Sequence, residues 1–347
     1  MACGADMKAA FALARGDTAY LFDGFGYLSD LDNYTRYEKA VREALDKLKI
    51  RPKIVVCDLH PGYFSTHFAE EFSRITNHES RITIQHHEAH IASAIVDNGI
   101  KGEVLGVAFD GTGYGSDGNI WGGEFFVGGL KNLKRVAHLD YIPMPGGEAC
   151  IREPWRIAAS YLYIAFGESF LKLKIDFVRD IDKKRWAVIK GMIDKRINSP
   201  LTSSMGRLFD AVGSIILGKT EAKFEAELPI ELERIAEAKA VDYYNFDKTV
   251  NIIKGVVKDL KSEVAPSVIS ARFHNTIAHL ILKTAKRYKM KGVALSGGVF
   301  QNKFLLNRVI VLLAKNSFKV YTHSEIPTND SGIPIGQVAI ANARRRA

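Results

Sequence analysis

Two apolar runs that break off into glycine constrain this chain more than anything else in it. Val104-Leu105-Gly106-Val107-Ala108-Phe109 leads into Asp110-Gly111-Thr112-Gly113-Tyr114-Gly115. Lys291-Gly292-Val293-Ala294-Leu295 leads into Ser296-Gly297-Gly298-Val299-Phe300-Gln301-Asn302, and the second run then opens a helical pattern. Each reads as a strand that ends in a glycine turn, whose backbone N–H groups can meet phosphate oxygens with no side chain in the way. Neither fits the Walker or dinucleotide fingerprint. Singly, either is a tight turn at a strand end; both at strand C-terminal ends point to a nucleotide.

The second signal is Gln85-His86-His87-Glu88-Ala89-His90, which opens an apolar helical pattern through Ile91, Ala94 and Val96. His86 and His90 project from successive turns of one helix face, where two imidazoles can share a metal ion. His87 points away from that pair. A lone His-x-x-x-His arises often by chance. Two acids strengthen it: Asp110 at the end of the first apolar run, and Asp330 in the turn Pro327-Thr328-Asn329-Asp330-Ser331-Gly332. Either Asp alone could be a helix cap or a turn former. With the histidines they make a set suited to Fe or Zn, with positions left open for a substrate oxygen.

At 347 residues the chain is long enough for two lobes around a sizeable core. Hydrophobic residues make up 47% and charged residues 25%, ordinary for a globular protein. Lys plus Arg exceed Asp plus Glu by 48 to 39, a net +9 that is spread along the chain. That excess favours phosphate-bearing or acidic partners, yet a solvated surface explains it at least as well as nucleic acid. Cys3, Cys57 and Cys150 offer neither a disulfide framework nor a metal knuckle and read as small buried residues. No apolar run approaches the ~18 residues of a membrane span, and the N-terminus lacks a signal pattern. The expectation is a cytoplasmic protein without a membrane partner.

Residues 11–22 read as a hairpin about Gly16-Asp17, 37–48 as an amphipathic helix, and 53–57 as a buried strand. A helix over 67–75, a strand over 82–84 and a helix over 89–96 follow, an alternation that marks an α/β lobe. A new sheet begins at Val104 with further strands over 120–127 and 134–139, then a loop at Pro143–Gly147. Residues 154–280 are mostly helical, with helices at 157–165, 185–193 and 206–216, and one long helix over 267–288. A strand at 291–295, a helix at 302–314, a strand at 318–321 and a helix at 334–344 close the chain. The economical description is α/β: a first lobe over 1–100 with helix 334–344 packed back on it, and a second lobe over 101–330 carrying a helical insertion at 154–280.

Several strings together resemble the HypF family of hydrogenase maturation carbamoyltransferases. They include Cys57-Asp58-Leu59-His60-Pro61, Gln85-His86-His87-Glu88-Ala89-His90, Phe109-Asp110-Gly111-Thr112-Gly113-Tyr114-Gly115 and Trp121-Gly122-Gly123-Glu124-Phe125. Pro145-Gly146-Gly147-Glu148, Ile151-Arg152-Glu153-Pro154-Trp155-Arg156, Gly206-Arg207-Leu208-Phe209-Asp210-Ala211, Arg272-Phe273-His274-Asn275-Thr276 and Ser296-Gly297-Gly298-Val299-Phe300-Gln301-Asn302 continue the match. It runs from near Met1 to the C-terminus but reaches only the family's C-terminal transferase module, related to threonylcarbamoyl-tRNA transferases and O-carbamoyltransferases. The resemblance implies the two-lobed actin/sugar-kinase (ASKHA) fold. It also implies that an adenylate-forming domain lies outside this chain, which is expected to be an excised domain or a separately encoded half.

By that resemblance His86, His90, Asp110 and Asp330 are the metal ligands and the catalytic set. Gly111, Thr112, Gly113, Ser296, Gly297, Gly298 and Asn302 belong to nucleotide turns. Gly206, Arg207 and Asp210 line the substrate cavity, and Glu227 holds the nucleotide ribose, with Glu231 as the second candidate. The cofactors implied are Fe or Zn, an ATP-derived nucleotide (carbamoyl-adenylate or AMP), and Mg as an accessory ion. The reaction implied is transfer of the carbamoyl group to the C-terminal cysteine thiol of a HypE-type partner. The alternatives are a carbamoyltransferase for tRNA or a small molecule, and a non-catalytic nucleotide-binding subunit. The strings at 151–156 and 206–210 set the reading against tRNA.

The chain departs from the family pattern at Lys8-Ala9-Ala10, Phe22-Asp23-Gly24-Phe25-Gly26-Tyr27, Glu221-Ala222-Lys223-Phe224-Glu225 and Ser331. These changes bear on the acceptor more than on the chemistry.

Overall fold

The computed structural model describes residues 1–75 and 80–345. The first sheet joins an antiparallel hairpin, β1 (Phe11–Arg15) and β2 (Thr18–Phe22), to a parallel pair, β3 (Val55–Asp58) and β4 (Arg81–Ile84). Ala2 stitches the two pairs together, bridging Ala12 on one side and Val56 on the other. Helices α1 (Leu31–Leu48), α2 (Phe64–Ile75) and α3 (His86–Asp97) alternate with the strands. The first helix begins six residues before the periodicity predicts. Asp30 accepts hydrogen bonds from the N–H groups of Asp32 and Asn33, both at 3.0 Å, and so caps a turn that carries little apolar signal.

The second sheet has the order β11-β10-β5-β6-β9-β8, with β7 also paired to β6. Its strands are β5 (Val104–Tyr114), β6 (Ile120–Gly128), β7 (Lys134–His138), β8 (Ile142–Pro143), β9 (Leu201–Thr202), β10 (Gly292–Ser296) and β11 (Lys319–Tyr321). β5 and β10 are buried neighbours in parallel register, which is why both read as continuous apolar runs. Between β8 and β10 lie α4 (Ala149–Arg152), α5 (Trp155–Phe166), α6 (Asp176–Arg179), α7 (Lys183–Lys195), α8 (Met205–Leu217), α9 (Glu227–Ile235), α10 (Thr249–Lys261) and α11 (Pro266–Tyr288). The largest apolar cluster fills the space between these helices and β5, running from Leu105 and Phe109 through Trp155, Phe209 and Phe273 to α12 (Lys303–Lys315).

A second apolar cluster unites the two sheets. It holds Ala2 and Val56 of the first, Val104 and Ala108 of the second, Ile91 and Ile95 of α3, and Ile335 and Ile340 of α13 (Ile333–Arg345). α3 packs on β5 and β10, whereas α13 packs on β1 to β4, so two helices form the layer between the sheets. They meet at Gly336, where a Cβ would stand 1.9 Å from the Ala89 carbonyl oxygen. The last helix also clamps the start of the chain. Gly4 N–H donates to Gln337 Oε1 at 2.9 Å across 333 residues, and Gln337 Nε2 donates back to the Gly4 carbonyl at 3.2 Å.

Sequence and structure differ most at β5. The expected glycine turn after Phe109 is instead a continuation of the strand: Gly113 pairs with Trp121 and Tyr114 with Ile120. Residues 110–112 leave the ladder as a bulge between the Phe109–Gly123 and Gly113–Trp121 pairs. The bulge re-aims Asp110 without ending the strand. The true reversal comes at Gly115–Asn119. Residues Gly298–Gln301 form a short 3-10 turn before α12.

Candidate metal centre and its surroundings

His86 and His90 stand one turn apart at the start of α3. Gln85 caps this helix by accepting from Glu88 N–H at 3.0 Å. Asp110 comes from the β5 bulge, and Asp330 opens the 3-10 turn Asp330–Gly332 that leads into α13. The fold brings all four together at the junction of the sheets. His86 Nε2 lies 3.5 Å from Asp110 Oδ2 and 3.8 Å from Asp330 Oδ1; His90 Nε2 lies 3.7 and 3.6 Å from the same two atoms. One ligand atom from each residue falls within 4.8 Å of all the others.

The donor set and spacing fit a metal ion. Metal–ligand bonds of about 2.1 Å at tetrahedral angles place ligand atoms about 3.4 Å apart. Both imidazole Nε2 atoms are fully buried and without a hydrogen-bond partner, a costly state unless something electrophilic sits before them. Burial alone would depress the His86 imidazole, but Asp58, Asp110 and Asp330 together push it well above the usual histidine range. Burial likewise opposes ionisation of Asp110, but His86 and His90 hold that carboxyl well below its ordinary value. Protonated imidazoles thus balance the carboxylates, as a cation would.

Asp58 holds the far side of His86. Its Oδ2 is 2.8 Å from His86 Nδ1, its Oδ1 accepts from His60 N–H at 2.9 Å, and it is fully buried. A carboxylate on Nδ1 fixes the tautomer that leaves Nε2 free for a metal. Sequence reasoning quoted Asp58 only as part of a string and gave it no role. The signal was present, since Asp58 ends the apolar strand β3 much as Asp110 leaves β5. Gly113 lets β5 pass the histidines: a Cβ there would lie 2.5 Å from His87 Cε1 and 2.8 Å from His86 Cδ2. His87 faces Gln85 Nε2 at 3.1 Å through Nδ1 and stays outside the four-residue cluster.

The residues expected around a nucleotide divide into two groups. Gly206, Gly297 and Gly298 stand against the backbone or side chain of Phe109, Asp110 and Gly111, Arg207 lies beside Gly111 with Asp210 paired to it, and Thr112 faces Met7. Ser204 caps α8 through Arg207 N–H at 3.1 Å and donates to the Asp110 and Gly111 carbonyls at 3.0 and 2.5 Å, which seats Gly206 against β5. Gly298 N–H donates to Asp110 Oδ1 at 3.1 Å, so that amide orients a candidate ligand. Arg207 Nε and Asp210 Oδ2 are both buried, 2.8 Å apart but off the hydrogen-bond line. Burial raises the Asp210 carboxyl to about 6 although Arg207 opposes it.

The other group spends its polar atoms inside the chain. Asn302 caps α12, accepting from Leu305 N–H at 2.8 Å, and its Nδ2 meets His274 Nε2 at 2.9 Å. The Ser296 hydroxyl is buried against His323 and His90. Glu227 lies 3.2 Å from Lys219 Nζ and accepts from Lys223 N–H at 2.5 Å, and Glu231 pairs with the same lysine. Glu124, in the Trp-Gly-Gly-Glu string, is a buried tie: it accepts from Gly122 N–H, Gly123 N–H and the Ser203 hydroxyl and pairs with Arg135 Nε at 2.6 Å.

Among known proteins, the sequence pattern of the HypF Kae1-like domain matches residues 1–97, and that of the carbamoyltransferase Kae1-like domain, second subdomain, matches residues 106–337. Carbamoyltransferase HypF of Synechocystis sp. is 34% identical over 97% of this chain and 46% of its own length. A carbamoyltransferase HypF homolog of Cupriavidus necator is 29% identical over 98% of this chain and 91% of its own length. The crystal structure of full-length HypF in the phosphate- and nucleotide-bound form superposes with a TM-score of 0.91 at 35% identity, covering 98% of this chain and 54% of that one. T. kodakarensis HypF gives 0.87 at 26% identity, over 99% and 48%. The ASKHA-like, two-lobed α/β fold expected from the strings is therefore the fold of the protein. The chain spans about half the length of most of the curated relatives it matches. By both family patterns and by identity along its whole length, the chain belongs to the HypF carbamoyltransferase family and corresponds to its C-terminal Kae1-like module.

Proposed function

We propose that this module transfers a carbamoyl group from carbamoyl-adenylate to the C-terminal cysteine thiol of a HypE-type protein in hydrogenase maturation. The observation that carries the proposal is the buried His86, His90, Asp110 and Asp330 cluster, with its two unpartnered imidazole nitrogens, in a chain of this family. Bound there, Fe or Zn would supply Lewis acidity toward a phosphate or carbonyl oxygen. The thiol sulfur attacks the carbamoyl carbon, the C–S bond forms, and the bond from that carbon to the phosphate oxygen breaks. AMP leaves with the electron pair, and the thiol proton passes to water. Arg207, beside Gly111, would meet the negative charge of the leaving phosphate, with Mg as an accessory ion. Cys3, Cys57 and Cys150 are buried, and no covalent intermediate on this chain is needed.

Carbamoyl-adenylate would be made by an adenylate-forming domain or subunit outside this chain. The reading includes a division near residue 100, with α13 serving the first lobe and residues 154–280 inserted in the second. The test is to incubate the metal-loaded protein with carbamoyl-adenylate and a HypE-type protein, then weigh the acceptor. A thiocarbamate on the terminal cysteine is expected, lost in His86→Ala and His90→Ala. Nucleotide binding without transfer would replace the proposal with a non-catalytic nucleotide-binding subunit. Transfer to tRNA or a small molecule alone would redirect it to that acceptor.

A further inference from the structure

Lys8, before β1, and Tyr27, after β2, reach from the first sheet to Glu225, in the loop between α8 and α9. The Tyr27 hydroxyl donates to Glu225 Oε2, and Lys8 Nζ lies 3.5 Å from Glu225 Oε1. All three reach solvent: Tyr27 is 42% exposed, and the Lys8 and Glu225 side chains 39% and 32%. Both jaws are fastened from behind. Ala9 N–H donates to the Gly26 carbonyl at 2.7 Å, which ties the Lys8 segment to the Tyr27 segment. Opposite, Ala222 N–H donates to the Arg152 carbonyl at 2.9 Å and Lys223 N–H to Glu227 at 2.5 Å, so the loop holds Glu225 in place. Lys8 and Ala226 have φ of 46° and 63°, left-handed values that residues with a side chain adopt rarely and at a cost.

This contact adjoins the candidate site on both sides. The Ser331 hydroxyl, next to Asp330, donates to the Lys8 carbonyl at 3.0 Å. Burial, then Glu225, then Asp330 raise the pKa of the Tyr27 hydroxyl, so both carboxylates are within electrostatic reach of it. Burial is the main cause of the raised Asp210 carboxyl, and the Glu225 charge adds to it. Glu225 thus neighbours Asp210 of α8 and, through Tyr27 and Lys8, the turn that carries Asp330. Exposed pairs of this kind are weak, whereas the α3 and α13 layer that unites the sheets is apolar and buried. The polar contact is the one that gives way if the two halves part. We propose that Lys8, Tyr27 and Glu225 form a latch across the mouth of the site, which opens to let nucleotide in or out and closes behind it. The latch rests on reading the surroundings of Arg207 and Asp210 as the nucleotide site.

Two measurements on the full chain test the latch. The first is exchange of AMP, read from 31P NMR line shapes. Tyr27→Phe and Glu225→Gln are each expected to speed association and dissociation alike by about two- to fivefold, the scale of one exposed pair, and to leave Kd within about twofold of wild type. Y27C/E225C joined by a short reducible bis-methanethiosulfonate linker should stop exchange, and reduction should restore it; the native cysteines are buried. The second needs no ligand: the distance between spin labels on the exposed positions E43C of α1 and I230C of α9, by pulsed electron resonance. Glu225→Gln is expected to add a longer distance to a single short one. Wild-type exchange rates in both variants overturn the latch, as does free exchange in the linked protein. Weaker affinity in Glu225→Gln, with Tyr27→Phe unchanged in every respect, makes Glu225 a direct nucleotide contact and overturns it too. If the wild type binds no AMP, the nucleotide reading fails; an unchanged spin-label distance in Glu225→Gln then overturns the latch by itself.

Discussion

Asp58 illustrates how much of a candidate metal centre is decided one atom behind the residues that would hold the ion. With no surface of its own and His86 Nδ1 at 2.8 Å, its carboxylate dictates which imidazole nitrogen keeps the proton. Asp58→Asn retains size and the acceptor for His60 N–H but can present an amide donor to Nδ1, which turns the His86 proton toward Asp110 and Asp330. The expected result is a folded protein whose Zn2+ affinity drops about 10- to 100-fold, read by chelator competition. Unchanged affinity would show that His86 does not depend on its carboxylate. Glu124 shows the opposite use of a buried acid. It sits in an equally family-like string, yet its contacts are two backbone amides, a serine and Arg135, which lies 3.7 Å from the Trp121 ring centroid. Its work is to fold the Gly122-Gly123 strand, and motif matching alone does not separate the two roles.

At the scale of elements, α3 matters most, because it presents His86 and His90 at one end and meets α13 along its length. Their crossing requires Gly336: the built Cβ falls 1.9 Å from the Ala89 carbonyl oxygen and 2.6 Å from its carbonyl carbon. Backbone cannot yield as a long side chain can. Gly336→Ala is therefore expected to cost about 1–3 kcal/mol or more and to lower Tm by about 1–2 °C per kcal/mol. Because Ala89 adjoins His90, metal affinity should weaken as well; a thermal scan and a Zn2+ titration read the two effects. Periodicity located most elements here, since strands and helices buried on one face follow their apolar spacing, but it marks α9 and α10 only as part of a mostly helical stretch. It failed where tertiary contacts override local pattern. β5 runs on past the Gly111 bulge because β6 pairs with Gly113 and Tyr114 beyond it, and β8 and β9 are two-residue strands with too little sequence to read. The His86, His90, Asp110 and Asp330 quartet was legible as residue types. The place of Asp58 behind His86 was not, because a strand end and a helix start 28 residues apart carry no spacing that joins them.

For the molecule as a whole, acid should act through the buried His274, which joins α11 to α12. Its Nδ1 donates to the Ser270 carbonyl at 2.8 Å and its Nε2 faces Asn302 at 2.9 Å. Burial pushes its pKa down from 6.5 to about 4. The folded state thus favours the neutral ring, so this contribution to stability is complete above pH 6.5 and is lost as pH falls from there toward 4. The loss amounts to about 3 kcal/mol, since each pKa unit is worth about 1.4 kcal/mol. Urea midpoints measured from neutral pH down to mild acid should fall across that window, and less steeply in His274→Gln. A flat profile in the wild type would remove the role.

The clamp between Gly4 and Gln337 has a further consequence for how the protein is made. Ala2 makes the bridges that stitch the first sheet together, and the helix that covers this sheet is the last described element of the chain. During synthesis the early strands must wait, with one face bare, while the entire second sheet and its inserted helices emerge. Closing that distance raises the contact order and slows folding. Asp330, which leads directly into α13, arrives in the same final segment. The four-residue cluster is completed only as the fold itself closes, so a nascent chain would have no means of capturing an ion there early.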